Sequence, residues 1–276
     1  MDKNPNEMSF LGHLEELRWH LIRSCSAIII MASVAFIGKD FIFDTIIFGP
    51  KKIDFLTYRW FCNLSESFGQ GDSFCINEMP FRIQSRTVAG QFSAHLWTSV
   101  LAGFILAFPY VIFEFWKFVS PGLHENERKN ARGFIFISSL LFFIGIIFGY
   151  YMVTPLSINF LGNYTVSGEV FNDFDLSSYI GLLRASVLAS GLIFELPIII
   201  YFLTKVGIVT PKFLRKNRKF ALVIVLSLSA IITPPDIVSQ IIVSIPLLIL
   251  YEVSIFISKF TYHRSVKDIQ KSSTLK

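Results

Sequence analysis

The chain has 276 residues, 53% of them hydrophobic and only 16% charged, with a net charge of +5 and a mean hydropathy of +0.56. Soluble domains carry roughly 25% charged residues, and Phe alone fills 30 positions here, so the composition argues against a soluble globular domain and for a membrane protein. The excess of basic residues needs no nucleic-acid partner, because it is distributed as a membrane-orientation signal.

Residues 1–8, "MDKNPNEM", lack the basic region and small-residue cleavage site of a secretory signal and read as disordered. An amphipathic helix is predicted from Phe10. Phe10, Leu14, Leu17 and Leu21 fall on one face, and Glu15, Glu16, Trp19 and Arg23 on the other. It feeds into the first apolar stretch, 24–43.

A hydrocarbon core about 30 Å thick needs about 20 apolar residues in helical form. Six segments are predicted to cross: 24–43, 94–118, 133–157, 178–204, 220–233 and 237–258. The segment 220–233 is short for a crossing, which implies a locally thinned bilayer. A re-entrant hairpin is the alternative there.

Between the first two spans, 44–93 forms a long loop broken by "GPKK" and "FGQGDS". Apolar patches such as "FLTYRWF" suggest that it covers the helices as a cap. Cys62 and Cys75 lie in this loop. In an oxidising periplasm they could pair, closing a short loop worth about 3 kcal/mol; two free thiols are the alternative reading. Cys25 reads as a small packing residue in the first span.

Lys and Arg concentrate at the N-terminal segment, in 117–132, in 205–219 and in the tail 259–276. The opposite side carries them only at Lys39, Lys51, Lys52, Arg59, Arg82 and Arg86. By the positive-inside rule both termini are cytoplasmic. The whole chain, 1–276, reads as one integral all-α membrane domain with a polar, mobile tail from Tyr262.

Enzyme signatures fail one by one. "GQGD" at 69–72 matches an intramembrane aspartyl protease pattern but lies in a hydrophilic loop without a partner Tyr-Asp in any span. "HENER" starts as a zinc motif and ends in Arg128 where the second His belongs. There is no Walker-type loop and no metal or cofactor constellation.

What remains is polar residues at particular depths. "HLEELRWHL" (13–21) puts acids where bases are expected, and "PGLHENERK" (121–129) repeats the theme. Carboxylates bind guanidinium groups bidentately, which lysine cannot reproduce. Solvated surface charge is the bland reading of each stretch taken alone.

Glu195 sits inside "GLIFELPIII" (191–200), and an intramembrane acid is a functional hypothesis by default. A hydrogen-bonded packing residue is the alternative. Arg184 lies on nearly the same face but about 16 Å away along the helix, and is read as snorkelling. "TPPDIVSQ" (233–240) gives a tight turn in which Pro234 and Pro235 stop one helix and Asp236 caps the next.

Taken together and in order, "HLEELRWHL", "AFPYVIFEFWKFVSPGLHENERK", "FELP" and "TPPDIVSQ" resemble the TatC family, the multispanning subunit of the twin-arginine protein translocase. The resemblance covers nearly the whole chain. It implies a bacterial inner-membrane protein with a concave, glove-like face. That protein would bind Arg-Arg signal peptides of folded cargo, assemble into an oligomeric complex with single-span subunits of the TatA and TatB type, and be driven by the proton-motive force.

It further implies that Glu16 and Glu127 recognise the two arginines, with Arg18 and Arg128 tuning that surface. Pro50, Pro109 and Pro121 would be structural. Glu195, Thr233 and Gln240 would face the single-span partners. Glu195 would draw water to the concave face and offer a hydrogen bond to a partner helix, worth about 1–2 kcal/mol. Glu114, Arg184, the Trp19–His20 pair and the loop cysteines depart from the family pattern. The competing readings are an ion-coupled transporter using Glu195, which lacks the expected repeat, and an intramembrane protease, which lacks a catalytic pair in the spans.

Overall fold

A computed structural model describes residues 10–67, 69, 75, 79–120, 131–170 and 172–273. The disorder expected of 1–8, most of the "GQGD" match, Pro121, Glu127 and Arg128 lie outside the described residues.

The chain is mostly helical. Helix α1 is Phe10–Ile37, followed by a π-helical turn at Phe41–Ile47 and a 3-10 turn at Gly49–Lys51. Then come α2 (Leu56–Ser67), strand β1 (Arg82–Gln84), α3 (Gly90–Val119) and α4 (Ala131–Phe148). A second π-helical turn, Gly149–Val153, leads into α5 (Thr154–Asn163), strand β2 (Asp173–Asp175), α6 (Leu176–Ile193) and α7 (Leu196–Lys205). Helices α8 (Pro211–Lys216), α9 (Arg218–Ile232) and α10 (Ile237–Ser273) complete the described chain.

Among the described residues, five helical stretches are long and apolar enough to cross a membrane: Leu14–Ile37, Gly90–Val119, Gly133–Asn163, Leu176–Lys205 and Ile237–His263. The predicted 220–233 span corresponds to α9, which has 15 residues, about 22 Å at the helical rise. The expected break near Ser258 does not occur. Helix α10 continues to Ser273, because "TYHRSVKDIQKSS" contains neither Gly nor Pro to stop it. The two three-residue strands, paired in parallel as Arg82↔Asp173, Ile83↔Phe174 and Gln84↔Asp175, are a small exception to the all-α expectation.

Two compact units divide the chain, Met1–Ile46 with Ser85–Leu140, and Ile47–Gln84 with Leu141–Lys276. The first is built on α1 against α3. Small residues let the backbones approach: a Cβ added at Gly103 would come within 2.5–2.7 Å of Ala32. Ala35, Ala94 and Ala107 are buried in the same unit. Where α1 ends, the orphan carbonyl of Phe36 accepts a hydrogen bond from His95 Nε2 at 3.0 Å, and the imidazole stacks on the Phe36 ring at 3.9 Å.

The second unit packs α6 on the helical stretch around Gly145 and Gly149. A Cβ at Gly145 would lie 2.7 Å from the Ser190 carbonyl, and one at Gly149 2.8 Å from the Ser186 carbonyl and from Val187 Cα. Gly191 opposes Ile146 and Phe142 in the same way. This is the small-xxx-small solution to helix packing in lipid, where dispersion rather than water exclusion drives association.

The π turn follows from Pro155. Lacking an N–H, Pro155 leaves the Tyr151 carbonyl without its helical donor, and the Thr57 hydroxyl donates to that carbonyl. The loop segment thereby docks on the third span. Phe55 stacks on Tyr151 at 5.4 Å. Tyr58 donates to the Pro50 carbonyl at 2.8 Å, with the Pro155 carbonyl 3.2 Å away. Its burial raises the Tyr58 phenol well above its ordinary value. Cys62 and Cys75 are joined in a disulfide with Cα atoms 4.4 Å apart. A core of Val153, Phe194, Val225, Val243 and Leu247 gathers α6, α9 and α10.

Candidate functional site

On α1 the residues Glu16, His20 and Arg23 recur at i, i+4 and i+7, so they share one stripe. Glu16 and His20 are half-buried on it, while Glu15, Arg18 and Trp19 are exposed. The face is fixed by Glu114 on α3. That residue is 1% exposed, and its carboxyl receives His20 Nδ1–H at 2.6 Å. The Arg23 guanidinium lies 3.8 Å from Oε2, and the Lys117 ammonium 3.6 Å from Oε1. Lys117 also lies over the Phe113 ring, 4.2 Å from its centroid.

A carboxylate buried without such partners would cost several kcal/mol, so this cluster explains how α3 tolerates Glu114. The sequence marked Glu114 as an unexpected charge but gave no sign of its partners. His20 is 94 residues away, and nothing in helical periodicity links the two.

Glu195 occupies a break in the fourth span. Pro197 cannot donate to the Ile193 carbonyl and clashes with it, so the helix stops at Ile193 and restarts at Leu196. Across the break Glu195 N–H bonds the Leu192 carbonyl at 3.2 Å, and the Glu195 carbonyl accepts from Ile198 and Ile199 at 2.9 and 3.0 Å. Glu195 is 8% exposed, and its neighbour Phe194 belongs to the core shared with α9 and α10.

Thr233 closes α9 at the turn between those two helices, and Gln240 lies in the first turn of α10. Thr233 is buried and donates to the Ser229 carbonyl at 2.8 Å. Gln240 is half-buried and donates from Nε2 to the Leu226 carbonyl at 3.1 Å. Asp236 accepts from the Ser239 N–H at 2.8 Å and the Val238 N–H at 3.4 Å. Pro234 is buried and Pro235 exposed. Pro50 is buried beneath Tyr58, and Pro109 lies inside α3.

The second unit therefore joins the Glu195 break and the 233–240 turn through one core. Glu16 and Arg18 belong to the first unit.

Apolar helices of spanning length, one of them interrupted at a buried acid, define a multi-pass membrane protein. Comparison with known proteins narrows the class. The family model for "Sec-independent protein translocase protein (TatC)" matches residues 12–246. The TatC of Blattabacterium sp. subsp. Periplaneta americana is 47% identical over 259 residues, covering 94% of this chain and 97% of that protein. Bacillus subtilis TatCy is 33% identical over 262 residues, covering 95% and 93%. A crystal structure of the twin-arginine translocase receptor TatC superimposes with a TM-score of 0.66 at 31% identity, covering 90% of this chain and 99% of that one. The chain belongs to the TatC family and is a subunit of a Sec-independent, twin-arginine protein translocase.

Proposed function

We propose that this chain is the receptor of its translocase, binding Arg-Arg signal peptides of folded cargo and assembling with single-span subunits of the TatA and TatB type. Glu16 and Glu127 would engage the two guanidinium groups, with Arg18 and Arg128 beside them. The observation that carries this reading is the placement of Glu16. It lies half-buried in the opening turns of α1, on a stripe held against α3, where a carboxylate can meet a guanidinium bidentately without strong screening. A solved relative described as a twin-arginine translocase receptor supports the assignment.

The same reading places the protein in the bacterial inner membrane with both termini cytoplasmic, in agreement with the distribution of Lys and Arg. Glu195, Thr233 and Gln240 would form the polar contact for partner helices. The driving force would be the proton-motive force, with no cofactor and no nucleic acid involved.

Site-specific crosslinking tests the receptor role. Arg-Arg peptides should label the purified protein more strongly than Lys-Lys peptides, and Glu16→Ala and Glu127→Ala should each abolish the preference. Equal labelling by both peptides, unaffected by either substitution, would overturn the reading.

A further inference from the structure

We propose that Glu114 is a positioning residue for signal-peptide recognition, clasping α1 to α3 through His20 and Arg23 so that Glu16 is held at a fixed height and rotation. The inference rests on the receptor reading above and deepens it.

The geometry is specific to this end of the helix pair. One buried carboxyl gathers groups from two helices: His20 at 2.6 Å and Arg23 at 3.8 Å from α1, and Lys117 at 3.6 Å from its own helix. The two α1 groups sit on the stripe that carries Glu16. The carboxylate of Glu16 lies one turn, about 6 Å of rise, before His20. Rotation of α1 about its axis would carry Glu16 and His20 away together, so the contact that fixes one fixes the other.

Apolar packing at the α1 entrance is limited, the His20 ring meeting Phe118 edge-on at 6.2 Å. Leu14, Leu17, Leu21 and Ile22 are 45%, 41%, 61% and 41% exposed, and the close Gly103–Ala32 contact lies three turns further along. The polar clasp is what determines the orientation of the opening turns. A guanidinium bound bidentately needs a carboxylate in a defined plane, so loosening α1 should weaken binding without altering any group that touches the peptide.

The test uses the full chain in lipid nanodiscs and a synthetic peptide with consecutive arginines. Its affinity is measured for wild type, Glu16→Ala, Glu114→Ala, the double variant, Glu114→Gln, and the exchanged pair His20→Glu/Glu114→His. In parallel, spin labels at Trp19→Cys and Phe115→Cys, in a Cys25→Ala background, report the spread of α1–α3 distances. We expect Glu114→Ala to weaken binding roughly tenfold and to broaden the distance distribution. Glu114→Gln, which keeps an acceptor for His20, should lose less. The double variant should bind no worse than Glu16→Ala, and the exchanged pair should recover both affinity and a narrow distribution.

Wild-type affinity in Glu114→Ala, or losses that multiply in the double variant, would overturn the proposal. A narrow distribution in Glu114→Ala would overturn the clasp alone. Wild-type affinity in Glu16→Ala would instead overturn the receptor reading, and with it the role given to Glu114.

Discussion

Asp236 accepts hydrogen bonds from the first turn of α10, and its ionisation should register in stability. Burial raises its carboxyl, but bonds from the Ser239 hydroxyl, the Ser239 amide and the Val238 amide lower it more, leaving it below its ordinary value. A depressed value in the folded state stabilises the fold above the unfolded-state value, about 3.9 for Asp. That contribution is lost as pH falls through the folded-state value. Asp236→Ala should therefore cost about 1 kcal/mol at neutral pH, with the difference from wild type shrinking below about pH 4. Asp236→Asn, which caps nearly as well without a charge, should flatten the pH dependence. Thermal unfolding of the purified protein at neutral and acid pH reads both. Capping of this kind was legible, because a Pro-Pro-Asp run before an apolar stretch leaves a helix few other places to start. The Glu114 clasp was not, since long-range pairing of a buried acid with His20 leaves no local trace.

Among the elements, the helices themselves were the easiest to read, and their irregularities the hardest. Long apolar runs gave the starts of α3, the α4–α5 stretch and α6–α7 to within about four residues, but the third stretch runs on to Asn163 and the fourth, read as continuous over 178–204, breaks at Glu195 ahead of Pro197. The π turn ahead of Pro155 depends on Thr57 supplying a donor from a distant loop, and the three-residue strands are too short for alternation to mark them. The pattern "GIIFG" at 145–149 is a packing signal once its partner surface of Ser186, Ser190 and Gly191 is known. It gives a sharp expectation. The Cβ of Gly149→Ala would meet backbone and Cβ atoms at 2.8–2.9 Å, none of them the free end of a flexible side chain, so α6 must shift. Overpacking of this kind typically costs 1–3 kcal/mol. Gly133→Ala, where nothing lies within 4 Å, should be neutral or slightly stabilising. A difference in denaturation midpoint between the two variants checks it; equal midpoints would mean that this helix pair is looser than the contacts imply.

For the molecule in its bilayer, the decisive mismatch is α9. Its 15 residues reach about 22 Å, against a typical hydrocarbon core of about 30 Å. Basic residues Arg218 and Lys219 mark one end, and the buried Thr233 and Pro234 mark the other. Neither end can lengthen the helix: Asn217 separates it from α8, and Pro234 with Pro235 stops it. At the first end Arg218 pairs with Glu252 on α10 at 2.6 Å, and near the middle of α9 the Leu226 carbonyl accepts from Gln240 Nε2 of α10 at 3.1 Å. These two contacts tie α9 to α10 and oppose its sliding to accommodate a thicker membrane. If α9 crosses, the bilayer beside it must thin by about 8 Å, at a cost of fractions of a kcal/mol per Å. Reconstituted into vesicles of increasing acyl-chain length, the protein should then be most stable in chains shorter than those of an average membrane and lose stability steadily as the core thickens. Shortening the mismatch with a four-leucine insertion after Val225 should move the optimum toward longer chains. A stability optimum at an ordinary thickness, unmoved by the insertion, would mean that α9 does not cross, which would favour a re-entrant hairpin over a sixth span.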